Sequence, residues 1–268
     1  QHVLPTLLLD FEIIGPIART VADTRLLFNV MRGPAVVDRL SLAAAHAATL
    51  PRRNGPLRVL YVERLGDAPL DPQIAASVGA GVAQLAALGH HVETGPLPLD
   101  LDFFATAWPR IGQMGLASMF DQHPEWEAQA SQKYRDMAAL GRALPASQLW
   151  QTLERVWQLR RESAALFERF DVLALPVAQV WPFDVEQRWP TEIAGRTMDT
   201  YHRWMETVVP ATMAGLPALA APAGFGPGGL PAGLQILGPA QQDAAVLQIG
   251  HAYDQASGYA RVASPLLG

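Results

Sequence analysis

Residues 214–239 read AGLPALAAPAGFGPGGLPAGLQILGP, a stretch dense in glycine and proline and without one charged residue. A phosphate cradle is the first chemistry it suggests, because Gly-rich loops turn their backbone amides onto an anion at a helix start. The setting argues against it. A cradle needs a strand before it, a helix directly after it, and usually a Lys or hydroxyl at its end. Here Gly228-Gly229-Leu230-Pro231 runs into Leu234-Gln235-Ile236-Leu237, an apolar run bounded by Gly233 and Gly238 that reads as a buried strand. Ala218-Leu219-Ala220-Ala221, closed off by Pro222 and Gly224, reads as a second. The pattern predicts two neighbouring buried strands joined by a Gly/Pro-rich turn, with small residues that let something approach the backbone closely.

Outward from this pair, a helix over 243–258 capped by Asp243 follows, and a helix over 200–214 precedes. Before that, Asp171-Val172-Leu173-Ala174-Leu175-Pro176 is a buried strand feeding a long aromatic loop, 177–198, and loops of that length usually have a function. Residues 101–170 are helical in pattern, with breaks at Pro109, Pro124 and 141–145; Leu149, Leu153, Val156 and Trp157 carry the helical period. Residues 57–62 form a strand, Asp71-Pro72 opens a helix that Gly89 ends, and His90-His91-Val92-Glu93 is a short strand. That order is a βαβ unit with parallel pairing. Near the start, Thr20 and Asp23 make a capping-box-like pair for a first helix, with Leu26, Leu27, Val30 and Met31 on one face and Gly33-Pro34 as its stop. The Ala43-to-Ala48 cluster is small and helix-compatible. No internal repeat, low-complexity tract or domain boundary interrupts the chain.

At 268 residues the chain buries a sizeable core, yet only 17% of it is charged while 50% is hydrophobic, against a typical charged share of about 25%. More surface is destined for cover than a free-standing domain needs, which points to a missing partner. The net charge of −5, without a basic run, leaves no electrostatic footprint for nucleic acid or anionic membrane. The absence of cysteine excludes disulfides and thiolate metal sites. No apolar run reaches the roughly 18 residues of a membrane span, and no signal-peptide layout opens the chain, so a cytoplasmic protein is expected. The sequence opens on Gln1, so a native start upstream, or one that was removed, is expected.

Seven histidines show no HxxxH or HExxH spacing, and no metal or organic cofactor is expected. Asp10 with Glu12 and Asp67 with Asp71 lie near loops, where capping and solvation are the commoner roles. The GxSxG of a nucleophile elbow is absent. Lys133, the only lysine, sits among Tyr134, Arg135 and Asp136 on what reads as a solvated helix face. Arg19 is a positive charge at the start of the first helix, unfavourable to its dipole, so a carboxylate or carbonyl cluster must compensate it; it reads as an interior tether or a substrate clamp. Trp181, Phe183, Trp189, Tyr201 and Trp204 are core or line an apolar pocket.

Gly15-Pro16-Ile17-Ala18-Arg19-Thr20-Val21-Ala22-Asp23 closely resembles the GP-x-ARTVAD segment of the amidase signature family. The opening stretch is similar to that family's GLPA, P-x-GF and LP-x-GLQ-x-x-GP pattern, and Phe170-Asp171-Val172-Leu173 with Pro176 to its third recurring element. The three matches fall in the family's order and span nearly the whole chain. The resemblance implies an α/β fold, a mixed β-sheet covered by helices on both faces, with the 214–239 strands in its middle. It implies hydrolysis of amides, or transfer of the ammonia released, through a serine nucleophile, a second serine in a cis peptide and a lysine. In the family these precede the GP-x-ARTVAD segment. Only fourteen residues precede Gly15 here, and they contain neither the Gly/Ser-rich loop nor the lysine. The expectation is therefore the C-terminal portion of a single amidase domain over 1–268, carrying no catalytic residue and inactive alone. Its partners would be a small-molecule amide and the upstream catalytic half, with a homodimer left open. Expected substrate-binding residues are Trp181, Tyr201, Trp204 and Thr212, the last where the family often has asparagine. The alternative readings are a truncated binding or assembly module and the A-type subunit of an amidotransferase.

Overall fold

The computed structural model describes residue 11, residues 13–34 and residues 55–262. The Asp10 and Glu12 pair and the Ala43-to-Ala48 cluster lie outside them. In chain order the larger elements are α1 (Val21–Met31), β1 (Arg58–Tyr61), α2 (Pro72–Ala87), β2 (His91–Thr94), α3 (Leu101–Gln122), α4 (Pro124–Gln129), α5 (Gln132–Ala143) and α6 (Ala146–Arg169). There follow β3 (Val172–Pro176), β4 (Glu192–Ile193), β5 (Arg196–Thr197), a 3-10 segment Tyr201–Val208, α7 (Val209–Ala214), β6 (Ala218–Phe225), β7 (Pro231–Leu237) and α8 (Asp243–Ser257). They fall into two compact units. Of the described residues, one holds 11, 13–14, 99–163 and 212–215, the other 15–34, 55–98, 164–211 and 216–262.

The second unit is built on a five-stranded mixed sheet of order β2-β1-β3-β7-β6. β1 pairs parallel with β2, as the strand–helix–strand order predicts, and also with β3, while β3–β7 and β7–β6 are antiparallel. The 214–239 stretch forms the hairpin β6–β7, its turn supplied by Gly228 and Gly229 at φ 65° and 76°, where only glycine is comfortable. β7 lies inside the sheet, but β6 is outermost among the described residues, so the pair is not central there. An edge position suits Pro222, which has no N–H to offer a further strand.

Period-two alternation sorts the sheet's side chains. Val59, Tyr61, Val172, Ala174, Leu234 and Ile236 face α2 and α8, which bury Ile74, Val78, Val82, Leu85, Val246 and Tyr253 against them. Leu60, Leu173, Leu175 and Leu237 on the opposite face are buried too, so β3 reads as an unbroken apolar run. Asp71 caps α2 by accepting from the amides of Gln73 (2.8 Å) and Ile74 (3.3 Å). Asp171, at the head of β3, accepts from the Arg58 amide at 2.9 Å and pairs with its guanidinium at 3.1 Å, setting the register of β1 on β3.

Thr20 caps α1 by accepting from the Asp23 amide, and the buried Asp254 of α8 accepts from Val21 N at 3.3 Å, placing a carboxylate on the positive end of the helix. Arg19 is an exposed rather than an interior tether, its guanidinium donating to the Val262 carbonyl at 2.9 Å. The apolar face expected on α1 is not packed inward: Leu26 is 66% and Val30 75% exposed, with Leu27 and Met31 also open, while Val21 and Phe28 meet the core.

In the helical unit, Pro109 does not break α3. It sits inside the helix with Ala105 and its own ring on the solvent side, so the carbonyl it leaves unbonded faces water. Ala117, Phe120 and Ala138 form a small core between α3 and α5, and any side chain at Gly141 would strike the Gln113 carbonyl, so glycine sets how closely the two helices approach. Lys133 is exposed on α5, as expected. Trp157 turns outward from α6, unlike Val156 beside it. The 200–214 segment is α-helical only over its last six residues; Met205 leaves helical geometry (φ −126°) within the 3-10 portion.

Candidate functional site

Where β3 ends, the chain leaves the sheet and is held by uncharged polar groups. Val177 N donates to Gly233 O at 3.0 Å. Gln179, almost wholly buried, uses every strong group it has. Its backbone amide donates to Trp204 O (3.2 Å) and its carbonyl accepts from Asp71 N (2.9 Å). Its side chain donates to Pro69 O at 2.7 Å and accepts from Glu206 N at 2.9 Å. Thr207 donates its hydroxyl to Val177 O (3.1 Å), and Gln235 of β7 donates its side-chain amide to Thr207 O (3.2 Å). The 3-10 segment is thereby fastened to the sheet and to the first turn of α2. Buried amides held this way are costly to disturb, because each lost partner strands a polar atom away from water.

On this base stands an aromatic group. The Trp204 ring meets Phe183 edge-on at 5.6 Å and Tyr201 at 6.2 Å, and Tyr201 meets His202 at 5.3 Å. Tyr201 and Trp204 are thus brought together, Tyr201 exposed and Trp204 half-buried. Trp181 packs instead on the β6–β7 hairpin against the main core, its ring so close to Gly226 that a Cβ there would fall 2.2 Å from a ring carbon. The indole N–H groups of Trp181 and Trp204 are both buried with no acceptor among the described residues. Thr212 belongs to the helical unit, half-buried on α7, where its carbonyl accepts from Gly215 N at 3.2 Å. Gly215 turns there at φ 67° beside the Arg160 guanidinium.

The charges around the aromatic group satisfy one another. Arg203 donates to Asp199 (2.8 Å) and Glu206 (2.7 Å), and its hydrogen bond holds the Asp199 carboxyl below the usual range. Ion pairs at the surface add little stability, but these two fix the outer side of the 3-10 segment. What the aromatic group offers chemically is apolar ring area rather than a nucleophile beside a base. Elsewhere, Asp67 pairs with Arg196 at 3.1 Å, His90 accepts from Leu57 N through Nδ1, and His123 stacks on Trp126 at 3.9 Å. Among the described residues no group of three His, Asp or Glu side chains could hold a metal ion, and no helix is long and apolar enough to cross a membrane.

Sequence reasoning missed Gln179, Thr207 and Gln235. Only Gln235 left a local signal, as the one amide inside an otherwise apolar strand.

Comparison with known proteins adds the rest. The Amidase family model matches residues 4–247. The chain is 29% identical over 272 residues to the A-type subunit of the glutamyl-tRNA(Gln) amidotransferase of Synechococcus sp. (strain CC9605), covering 91% of this chain and 54% of the relative. It is 28% identical over 265 residues to an acylamidase of Rhodococcus erythropolis, covering 92% and 53%. The fold superposes on the crystal structure of a bacterial aryl acylamidase with a TM-score of 0.77 at 24% identity, over 92% of this chain and 53% of that one. The chain spans about half the length of the curated relatives it matches. With the GP-x-ARTVAD-like entry to α1, the Asp171 clasp and the β6–β7 hairpin all in the family's order, the match over nearly the whole sequence is decisive: this chain belongs to the amidase family.

Proposed function

We propose that the chain is the C-terminal, pocket-forming portion of an amide-hydrolysing enzyme that acts on a small-molecule carboxylic amide through a serine acyl-enzyme, releasing an acid and ammonia or an amine. The observation that carries this reading is a family match across residues 4–247 in a chain about half as long as its relatives. The match runs through both compact units, which supports taking them as one amidase domain. In this reading the reacting groups lie in the portion of the relatives that the chain does not span: a serine activated by a neutral lysine through a second hydroxyl, and backbone amides for the oxyanion. The open apolar face of α1, with Leu26 and Val30, fits a surface that such a portion would cover.

The chain's own contribution is specificity. Tyr201 and Trp204, held by Gln179 and Gln235, present ring faces to the acyl group, and Trp181 rests on the hairpin of the same unit; Thr212, in the helical unit, is a separate candidate contact. A bulky apolar or aryl acyl group suits them. The test joins the chain to its upstream portion and compares an acetamide with a benzamide-type substrate. Tyr201→Ala and Trp204→Ala should lower kcat/KM for the aryl amide on the order of tenfold more than for the acetamide, the size of effect one apolar contact gives. Equal losses on both substrates in a folded enzyme would contradict the assignment.

The names of the amidotransferase relatives favour a second reading, an A-type subunit that supplies ammonia to a tRNA-bound acceptor. The net charge of −5 would then leave the nucleic acid to partner subunits. Glutamine hydrolysis that depends on an added subunit separates it from a free-standing amidase. A cytoplasmic location fits either reading.

A further inference from the structure

The outer side of α6 carries two tryptophans that its packing does not use. Trp150 is 65% and Trp157 60% exposed, whereas Thr152, Val156, Leu159 and Ser163 on the inner side are buried. Glu154 and Arg161, both exposed, share the outer side. Trp150, Glu154, Trp157 and Arg161 are spaced i, i+4, i+7 and i+11, the alternating four-and-three step that lines up one seam of a helix. The seam is partly set in advance, since the Trp150 indole donates to the Glu154 carboxylate at 3.0 Å and lies along the helix. Arg161 makes no ion pair with any described residue. Paired exposed tryptophans are the side chains that most often anchor protein contacts.

We propose that this seam is a homodimer contact in which two copies of the chain pair their α6 helices antiparallel across a two-fold axis. The order of charges along the seam selects that occupant. In an antiparallel helix pair the two kinds of seam position face each other. With the axis between Glu154 and Trp157, Trp150 lies against Arg161 of the second copy, a cation–π contact, and Trp157 lies against Glu154 of the second copy. Glu154 is then one turn from Arg161 of the second copy, within reach of a salt bridge. A parallel pair would set Glu154 on Glu154 and Arg161 on Arg161. An isologous contact must be self-complementary, and the antiparallel arrangement meets that condition with these four residues alone.

Sedimentation velocity on the longest natural reading frame that contains this chain tests the proposal across a micromolar concentration series. A reversible dimer is expected. Trp157→Lys and Arg161→Glu should each weaken it on the order of tenfold or more, while leaving helix content and Tm unchanged because both side chains are exposed. Glu154→Arg alone should also weaken it, and the double variant Glu154→Arg/Arg161→Glu should recover association, since the salt bridge returns with its charges exchanged and the cation lies against Trp157 instead of Trp150. A monomer at every concentration, a dimer indifferent to these substitutions, or a dimer seen only when the upstream portion is removed would overturn the proposal; the last would give the seam to that portion instead.

Discussion

Gln235, in the middle of β7, donates its side-chain amide to the backbone carbonyl of Thr207 across 3.2 Å. One glutamine of the LP-x-GLQ pattern thus reaches off the sheet to hold the segment that carries Tyr201 and Trp204. Gln235→Leu keeps the volume and removes the donor, leaving a buried carbonyl unmet. It should cost about 1–3 kcal/mol, seen as a lower urea midpoint, and should loosen the aromatic near-UV circular dichroism. An unchanged midpoint would show that the bond carries no stability.

Trp181 and Gly226 form a second testable pair. A methyl group at 226 would sit 2.2 Å from the indole ring, so Gly226→Ala should destabilise by roughly 1–3 kcal/mol through overpacking. Trp181→Leu removes the obstacle. The double variant should therefore cost less than the sum of the two single ones, as contacting residues do; strict additivity in urea titrations would mean that the ring moves aside freely.

Stability should be flat near neutrality and fall on both sides. Burial, with a smaller effect of Glu63, pushes the Tyr61 phenol up to about 12, and burial raises Tyr253 as well. The unfolded phenols ionise first, near their ordinary value of 10.0, so the folded state loses ground as pH rises from there toward about 12. Burial, then the neighbouring His91, lowers His90 below its ordinary value of 6.5. The unfolded imidazole takes its proton first, and stability is lost as pH falls below that value. Urea midpoints across pH should show both limbs, with Tyr253→Phe flattening the alkaline one while losing its 2.7 Å bond to Pro222 O. An alkaline limb that persists unchanged in Tyr61→Phe and Tyr253→Phe together would contradict the assignment.

The parts of the fold that were legible in sequence are those fixed by local chemistry. Thr20 with Asp23 and Asp71 with Pro72 announce helix starts through caps that need no tertiary partner. The hairpin β6–β7 is announced by apolar runs around a glycine turn. The 3-10 segment was not legible, because the apolar period of 200–214 looks helical throughout. Pro210 lacks the N–H that would bond the Glu206 carbonyl, which accepts from Val209 N instead, so the α-helix starts only there. The outward turn of Trp157 and of the Leu26 and Val30 face was also hidden, since a helix apolar on several sides does not reveal which one finds a partner. In the candidate site, the rings could be read from composition but their supports could not. Gln179 is buried by what folds over it, and nothing within a few residues marks it.

The claim that this chain supplies the pocket and sheet of an amidase, with the reacting groups elsewhere in the natural protein, is tested most directly by amide hydrolysis in a reconstitution. The 268-residue chain is assayed alone, then with the upstream portion added in trans, against acetamide and a benzamide-type substrate. No turnover above background by the chain alone is predicted, with activity appearing in proportion to the complex formed. Turnover by the chain alone that scales with its concentration through repeated purification would contradict the account.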